Sequence, residues 1–287
     1  MNLDFIFINT FLLSVCVYVT LGADSWTCTA NTDSNESTST CKNLEKRFKT
    51  LEIQMKQVQK LLQTNGTNTY TTIDGIPKDC EAIYENGPRT DGMYMISPDG
   101  RCPFLVYCDM KNGGWTVIQR RIDGRVSFYR PWDGYVSGFG DLDGSFWLGL
   151  EKIHRLTRDG SQIYFDMENY DGSRDYAHYN VFTVHEAATA YRMNVDAFGY
   201  RGSIRELLSY HNNQKFSTYD RDNDANTNGN CVISHGRGGW WYNTCYMLGN
   251  LNGIYGKREV GGVGYYDGDH LQIKNVEMKV KAMHGVC

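Results

Sequence analysis

Residues 220–245 read DRDNDANTNGNCVISHGRGGWWYNTC, and the reading of this stretch decides the rest. Asp220, Asp222 and Asp224 alternate and are followed at the same spacing by Asn226 and Asn228. Carboxylates this dense repel one another unless a hard cation neutralises them, and oxygen-only ligands are what Ca²⁺ takes. The spacing is that of the first half of an EF-hand loop, but Ala225 stands where the sharp turn needs Gly, and Cys231 stands where the closing Glu belongs. A calcium loop of another kind is therefore expected, closed by a Cys231–Cys245 bridge. The competing reading is an acidic, Asn-rich surface turn that holds no ion.

Outward from this loop, residues 78–287 form the globular part. Short apolar runs are punctuated by Asp-Gly turns at Asp91, Asp99, Asp123, Asp143 and Asp171. Strands are expected over Gly92–Ser97, Phe104–Met110, Trp115–Arg120, Gln162–Met167, Val181–His185 and His270–Lys281. The last run alternates through Leu271, Ile273, Val276, Met278 and Val280, with a slip at Asn275 that predicts a bulge. Helices are expected over Leu150–Arg158 and Ser203–His211, the second opening on a Ser followed three residues on by Glu206. The sum is an α+β domain with long irregular loops, large enough to bury its own core. Within it, Trp115, Trp132, Trp147 and Trp240 are assigned to the core, and Arg201 and Arg205 to solvent.

The region before it is organised differently. An apolar run from Phe5 to Leu21, followed by Gly22-Ala23, reads as a secretory signal peptide over residues 1–22 rather than a retained anchor. Residues 23–40 are Ser/Thr/Asn-rich and expected to be disordered. Leu44, Phe48, Leu51, Met55, Val58 and Leu62 then alternate intervals of four and three, giving a short coiled coil over residues 41–63 and a homo-oligomer. The alternative is an amphipathic helix docked on the globular domain. A Thr/Asn/Gly linker occupies residues 64–77. Asn35 and Asn65 head glycosylation sequons. Without Cys16, eight cysteines remain and no CxxC pair occurs, which favours disulfides in an exported protein over zinc thiolates. Cys28 and Cys41 either pair with each other or staple neighbouring chains. The formal net charge of −4 and the lack of a Lys/Arg cluster give no footprint for nucleic acid, and no run beyond the first approaches membrane-spanning length. No HExxH, GxSxG or phosphate-binding loop occurs, so no catalytic residue is assigned and the protein is not read as an enzyme.

Several segments together resemble the fibrinogen C-terminal domain over about residues 78–282. They include Asp79-Cys80, Val106-Tyr107-Cys108-Asp109-Met110, Gly113-Gly114-Trp115-Thr116-Val117-Ile118-Gln119-Arg120-Arg121 and Gly138-Phe139-Gly140. Phe146-Trp147-Leu148-Gly149-Leu150, Phe216-Ser217-Thr218-Tyr219-Asp220, Trp240-Trp241-Tyr242 and Asn250-Leu251-Asn252-Gly253 continue the series. The resemblance implies disulfides Cys80–Cys108 and Cys231–Cys245; Cys102 and Cys287 lie outside that pattern, and pairing them with each other would leave no free thiol in the domain. It implies a Ca²⁺ site made by the side chains of Asp222 and Asp224 and the main-chain carbonyls of Asn226 and Asn228, with Asp220 behind it or capping a turn. It also implies a pocket for acetylated groups at His235, Trp241, Cys245 and Tyr246, with a cis peptide after Cys245. Tyr246 departs from the His of many members, and the segment Ile254–Tyr266 is shorter than the family's pocket-lining stretch. The function so implied is a secreted, lectin-like recognition protein, binding carbohydrate or acetylated surface groups in innate defence as an oligomer. The alternatives are a receptor ligand of angiopoietin type and a structural polymerising protein.

Overall fold

The computed structural model describes residues 75–206, 208–245, 249–259, 262–264 and 273–283. The segments expected to be signal peptide, disordered stretch and coiled coil lie outside them, as do both sequons, Cys28, Cys41, Tyr246, Cys287 and most of the expected linker. Ile76–Cys287 is one compact unit.

Its frame is an antiparallel sheet. In chain order the elements are α1 (Cys80–Asn86), β1 (Gly92–Ile96), β2 (Phe104–Asp109), β3 (Trp115–Arg121), α2 (Trp132–Ser137), β4 (Phe139–Gly140) and β5 (Phe146–Trp147). They continue with α3 (Leu150–Thr157), β6 (Ser161–Asn169), β7 (Arg174–Val184), β8 (Met193–Asp196), β9 (Arg201–Gly202) and β10 (Ile273–Ala282). The path across the sheet is β1-β2-β3-β10-β6-β7-β8, so the last strand is inserted at the centre. Strand β6 alternates buried and half-buried residues along its whole length, the period-2 signature of a sheet with one face on the core. The predicted bulge is present: the β10–β6 register shifts between Ile273 and Asn275.

Lys279 enters this core on β10 because carboxylates meet it there. Its Nζ lies 2.6 Å from Asp109, 3.0 Å from Asp166 and 2.9 Å from Glu277. Burial alone would favour the neutral amine, but the carboxylates outweigh it and hold the pKa above the ordinary lysine value.

Helix α3 fits the expectation within a residue. Leu150, Ile153 and Thr157 lie on its buried stripe, and the Thr157 hydroxyl accepts from the Val184 N–H at 3.0 Å, docking the helix on β7. The helix expected over Ser203–His211 does not form; among its described residues only the 3₁₀ turn Ser209–His211 is helical. Ser203 is used elsewhere, and Glu206 divides between a neighbouring strand and the start of the short turn. Ser203 Oγ donates to Asp175 Oδ1 at 2.7 Å and accepts from the Tyr176 N–H at 2.9 Å. Glu206 Oε1 accepts from the N–H groups of Leu208 and Ser209 and from the Tyr179 hydroxyl. Helix α1 was not expected; the Asp79 carboxylate caps it by accepting from the Ala82 N–H at 2.8 Å. Cys80–Cys108 ties it to β2. Cys102 is also disulfide-bonded.

Candidate functional site

The acidic loop stands on an aromatic floor built from its own flanks. Ser217 and Trp240 exchange main-chain hydrogen bonds, at 2.9 and 3.2 Å, which bring the start and end of the stretch together. Below that bridge, Trp241 packs against Phe216 with centroids 5.1 Å apart, against Trp240 at 5.4 Å and against Trp147 at 6.2 Å. Gly239 must be Gly here, since a Cβ would come within 2.7 Å of the Phe216 and Tyr135 rings. On the other side, Gln119 Nε2 donates to the Leu251 carbonyl at 2.8 Å, and Asn252 Nδ2 donates to the Gly239 carbonyl at 2.9 Å. Arg121 Nη1 donates to the Gly253 carbonyl at 2.8 Å, and its guanidinium lies 3.8 Å from the centre of the Phe128 ring.

Above the floor, polar side chains bind the loop's own main chain. Asn223 Nδ2 donates to the Phe216 carbonyl, and Asn230 Nδ2 to the Thr218 carbonyl at 2.9 Å. Asp220 is a cap: its Oδ1 accepts from the Trp132 N–H at 2.9 Å and from the Thr218 hydroxyl at 2.7 Å, tying the loop to the start of α2. Asn223 and Asn230 were not singled out from sequence, although Asn at such a turn is a known local tie.

Asp222 and Asp224 converge, as the spacing predicts. Asp224 Oδ2 accepts from the Cys231 N–H at 2.9 Å and Oδ1 from the Asn226 N–H at 3.0 Å, while Asp222 Oδ1 accepts from the Asp224 N–H at 3.3 Å. Burial, followed by the neighbouring Asp222 charge, pushes the Asp224 carboxyl up to about 6, against the lowering effect of the Cys231 and Asn226 N–H groups. A cation between the two carboxylates would relieve that repulsion. The Asn226 side chain is already engaged: its Nδ2 donates to the Gly229 carbonyl at 2.7 Å, and its Oδ1 accepts from the Asn228 N–H at 3.2 Å. Among the described residues, the main-chain carbonyls of Asn226 and Asn228 accept no main-chain hydrogen bond. No group of three or more His, Cys, Asp or Glu side chains converges among the described residues, so a cation here would rest on two carboxylates and main-chain oxygens. That donor set fits Ca²⁺, a hard ion satisfied by oxygen.

The second half of the loop is closed by the Cys231–Cys245 disulfide, with Cα atoms 4.9 Å apart. Asn226 Nδ2 also donates to Cys245 Sγ at 3.4 Å, so the bridge and the acidic segment touch. Cys245 adopts φ 64°, left-handed and uncommon for a side-chain-bearing residue, and no cis peptide occurs among the described residues. His235 falls in the helical turn Val232–Gly236. Tyr246, and with it the peptide expected to be cis, lies outside the described residues. Trp241 corrects the expected pocket. It is fully buried, and its indole N–H donates to the Tyr191 carbonyl at 2.7 Å, so it belongs to the floor's interior and presents no ring to a ligand. Trp240 is in the core, as expected.

Comparison with known proteins gives a consistent picture. Residues 76–283 match the family described as fibrinogen beta and gamma chains, C-terminal globular domain. The chain is 38% identical over 267 residues to angiopoietin-related protein 7 of Mus musculus, covering 86% of this chain and 77% of that one. It is 42% identical over 218 residues to fibrinogen-like protein A of Apostichopus parvimensis, covering 71% and 75%. Among solved structures, the fibrinogen-like globe domain of human ANGPTL2 superposes with a TM-score of 0.66 at 36% identity, covering 72% of this chain and 99% of that one. Lamprey fibrin D-dimer, solved with the peptide ligand Gly-His-Arg-Pro-amide, superposes with a TM-score of 0.63 at 29% identity, covering 88% and 91%.

Proposed function

Because this protein belongs to the family of the C-terminal globular domains of fibrinogen beta and gamma chains, we propose that it is an extracellular recognition protein of angiopoietin type, whose globular domain docks on a protein partner at a cell surface. The observation that carries this is the reach of the similarity to angiopoietin-related protein 7. It covers 86% of the chain, more than the compact unit Ile76–Cys287, and so extends into the segment before it. The burial of Trp241 supports the same choice over a carbohydrate site, because it removes the ring expected to line the acetyl pocket. The lamprey neighbour, which holds a peptide, is in keeping with a protein or peptide ligand. Export is supported by the disulfides Cys80–Cys108 and Cys231–Cys245, which persist in oxidising compartments. No helix among the described residues is long and apolar enough to cross a membrane.

In this reading Ca²⁺ is structural. Asp222 and Asp224 would hold it with the carbonyls of Asn226 and Asn228. The bound ion would supply the positive charge that keeps both carboxylates ionised and the loop in one shape. The protein's own residues do the rest: Asp220 anchors the loop to α2, the disulfide closes it, and the aromatic floor fixes its height. The proposed role is binding rather than catalysis, and oligomerisation through residues 41–63 would multiply weak single contacts.

The test is binding of the full, disulfide-intact protein to intact cells in calcium, with and without prior treatment of the cells. Mild protease treatment is expected to abolish binding, while glycosidase treatment or free acetylated sugar leaves it in place. Binding that survives protease and is eluted by acetylated sugar would overturn the protein-partner reading and return the domain to the lectins.

A further inference from the structure

Five Asn-Gly pairs occur in the sequence, headed by Asn65, Asn86, Asn112, Asn228 and Asn252. Asparagine is a thermolabile residue: its amide carbon is open to attack by the main-chain nitrogen that follows, and glycine there has no Cβ to hinder the approach. Asn65 lies outside the described residues. In three of the other four pairs the fold restrains the reacting groups. Asn252 is fully buried, and its Nδ2 donates to the Gly239 carbonyl at 2.9 Å. Asn112 Nδ2 donates to both carboxylate oxygens of Asp109 at 2.9 Å, and the Gly113 N–H, the attacking group of that pair, is engaged with the Met110 carbonyl at 3.0 Å. Asn86 Nδ2 donates to the Ala82 carbonyl at 3.1 Å, one turn back in α1. Asn228 is different. It is exposed, and among the described residues neither its side chain nor the Gly229 N–H takes part in a hydrogen bond. Nothing lies within 4 Å of the place a Cβ would take at Gly229, so the space beside the pair is open. Gly229 also adopts φ 143°, a conformation that favours glycine.

We propose that Asn228-Gly229 is a self-modification site, at which the acidic loop deamidates through a cyclic imide. The Gly229 nitrogen bonds to Asn228 Cγ, the Cγ–Nδ2 bond breaks, and the proton of the Gly229 N–H leaves with the departing ammonia. Solvent water then opens the ring. Cleavage between the Gly229 nitrogen and Cγ gives an ordinary aspartate linkage. Cleavage at the main-chain carbonyl carbon gives isoaspartate, with the chain routed through Cγ. No oxidant or partner protein is needed, because nucleophile and amide are held next to each other in one chain. Either product adds a negative charge to the segment that carries Asp222 and Asp224. Isoaspartate also takes the Asn228 carbonyl out of the main chain and turns it into a free carboxylate. That carbonyl is one of the oxygens proposed to hold Ca²⁺, so the effect on the ion rests on that reading, whereas the modification does not. The loop thereby carries a limited lifetime, and ageing of the protein changes the surface it offers.

The test is to incubate the full, disulfide-intact protein at mildly alkaline pH in chelator, then digest it and map the peptides by mass spectrometry. Isoaspartate is counted by enzymatic methyl labelling. Expected is loss of the amide at Asn228 first, with Asn86 later and with Asn112 and Asn252 intact. Asn228→Gln, whose longer arm does not close the same ring, is expected to lose the labelling of this peptide. Retention of the Asn228 amide, its loss no faster than at Asn86, Asn112 or Asn252, or labelling unchanged in Asn228→Gln would each overturn the proposal. If the variant does not fold, the map of the parent protein decides the question alone. A parallel incubation in calcium keeps the two readings apart. Slower conversion there supports an ion that holds the Asn228 carbonyl in place; equal conversion leaves the modification standing and counts against the ion.

Discussion

Acidification should destabilise this domain through one histidine before most of its carboxylates titrate. His211 is 1% exposed. Its ring is faced by the Trp241 carbonyl, the edges of Tyr210 and Trp240, and more distantly by Glu206, whose charge favours the protonated form. Burial dominates and lowers the pKa from 6.5 to about 4. Protonation would place a positive charge and a second N–H, on Nε2, in the buried core, where Nε2 has no hydrogen-bond partner. The unfolded protein binds this proton more readily than the native one. The neutral ring's contribution is therefore fully present above pH about 6.5 and is lost as pH falls toward about 4. Since a tenfold difference in proton affinity is worth about 1.4 kcal/mol, the loss is about 3 kcal/mol by pH 4, and close to half of that is gone by pH 5.5.

The assay is urea unfolding followed by tryptophan fluorescence from pH 7.5 to 4, at fixed salt and calcium, on the parent and on His211→Asn. Asn keeps a donor for the Trp241 carbonyl and does not titrate. Taking the difference between the two proteins removes the other groups that titrate in this window. These include His178, whose pKa burial lowers, and Asp224, which burial raises to about 6. Asp91, Asp99 and Asp166 are held below their ordinary value, as partners outweigh burial, so their contributions fall away only below pH about 4. The parent is expected to lose about 3 kcal/mol relative to the variant across this range. A difference that stays flat to within about half a kcal/mol, well inside what such titrations resolve, would refute the assignment of a buried neutral imidazole.

Three further outcomes are expected. Asp222→Ala should abolish the calcium-dependent rise in melting temperature, which in the parent corresponds to about 2.7 kcal/mol at a calcium concentration roughly a hundredfold above Kd; equal melting temperatures of the parent in calcium and in chelator would remove the ion site. Asp99→Ala should cost about 3–5 kcal/mol in urea unfolding, because it strands a buried guanidinium: Arg155 Nη2 lies 2.5 Å from Asp99 Oδ1, and both side chains are almost fully buried. A loss below about 1 kcal/mol would show the pair behaving as an exposed one. Replacing Cys231 and Cys245 together by Ser opens a loop with a sequence separation of 14 and should cost about 3 kcal/mol; unchanged stability would mean that the aromatic floor alone holds the loop.

What the sequence disclosed follows from how locally each feature is encoded. The bulge at Asn275 was legible because alternation in β10 breaks within the strand itself. The pairing of Asp222 with Asp224 was legible for the same reason, as both sit on one short turn. Strand β7 was seen only from Val181, although it starts at Arg174. In its first half, Ala177 and Tyr179 face the core while Tyr176 and His178 face outward, so aromatic character does not mark the buried side. Ser203 and Glu206 carry a capping pattern, but Ser203 is claimed by Asp175 and Tyr176 on a neighbouring strand, and Glu206 is shared between Tyr179 there and the N–H groups of Leu208 and Ser209.

Trp240 and Trp241 show why the site itself was harder to read than the fold. Adjacent aromatic residues have no spacing that separates an exposed ring from a buried one. What buries Trp241 is contact with Phe182, Phe216 and Trp147, each from a different part of the fold. The polar ties are equally remote, since Gln119 reaches Leu251 across a separation of 132 residues. A local pattern can therefore nominate candidate ion ligands in the loop, which are neighbours in sequence. It cannot say which side chains form the floor beneath them, and that floor decides whether the adjoining surface offers a ring to a sugar or a shaped main chain to a protein.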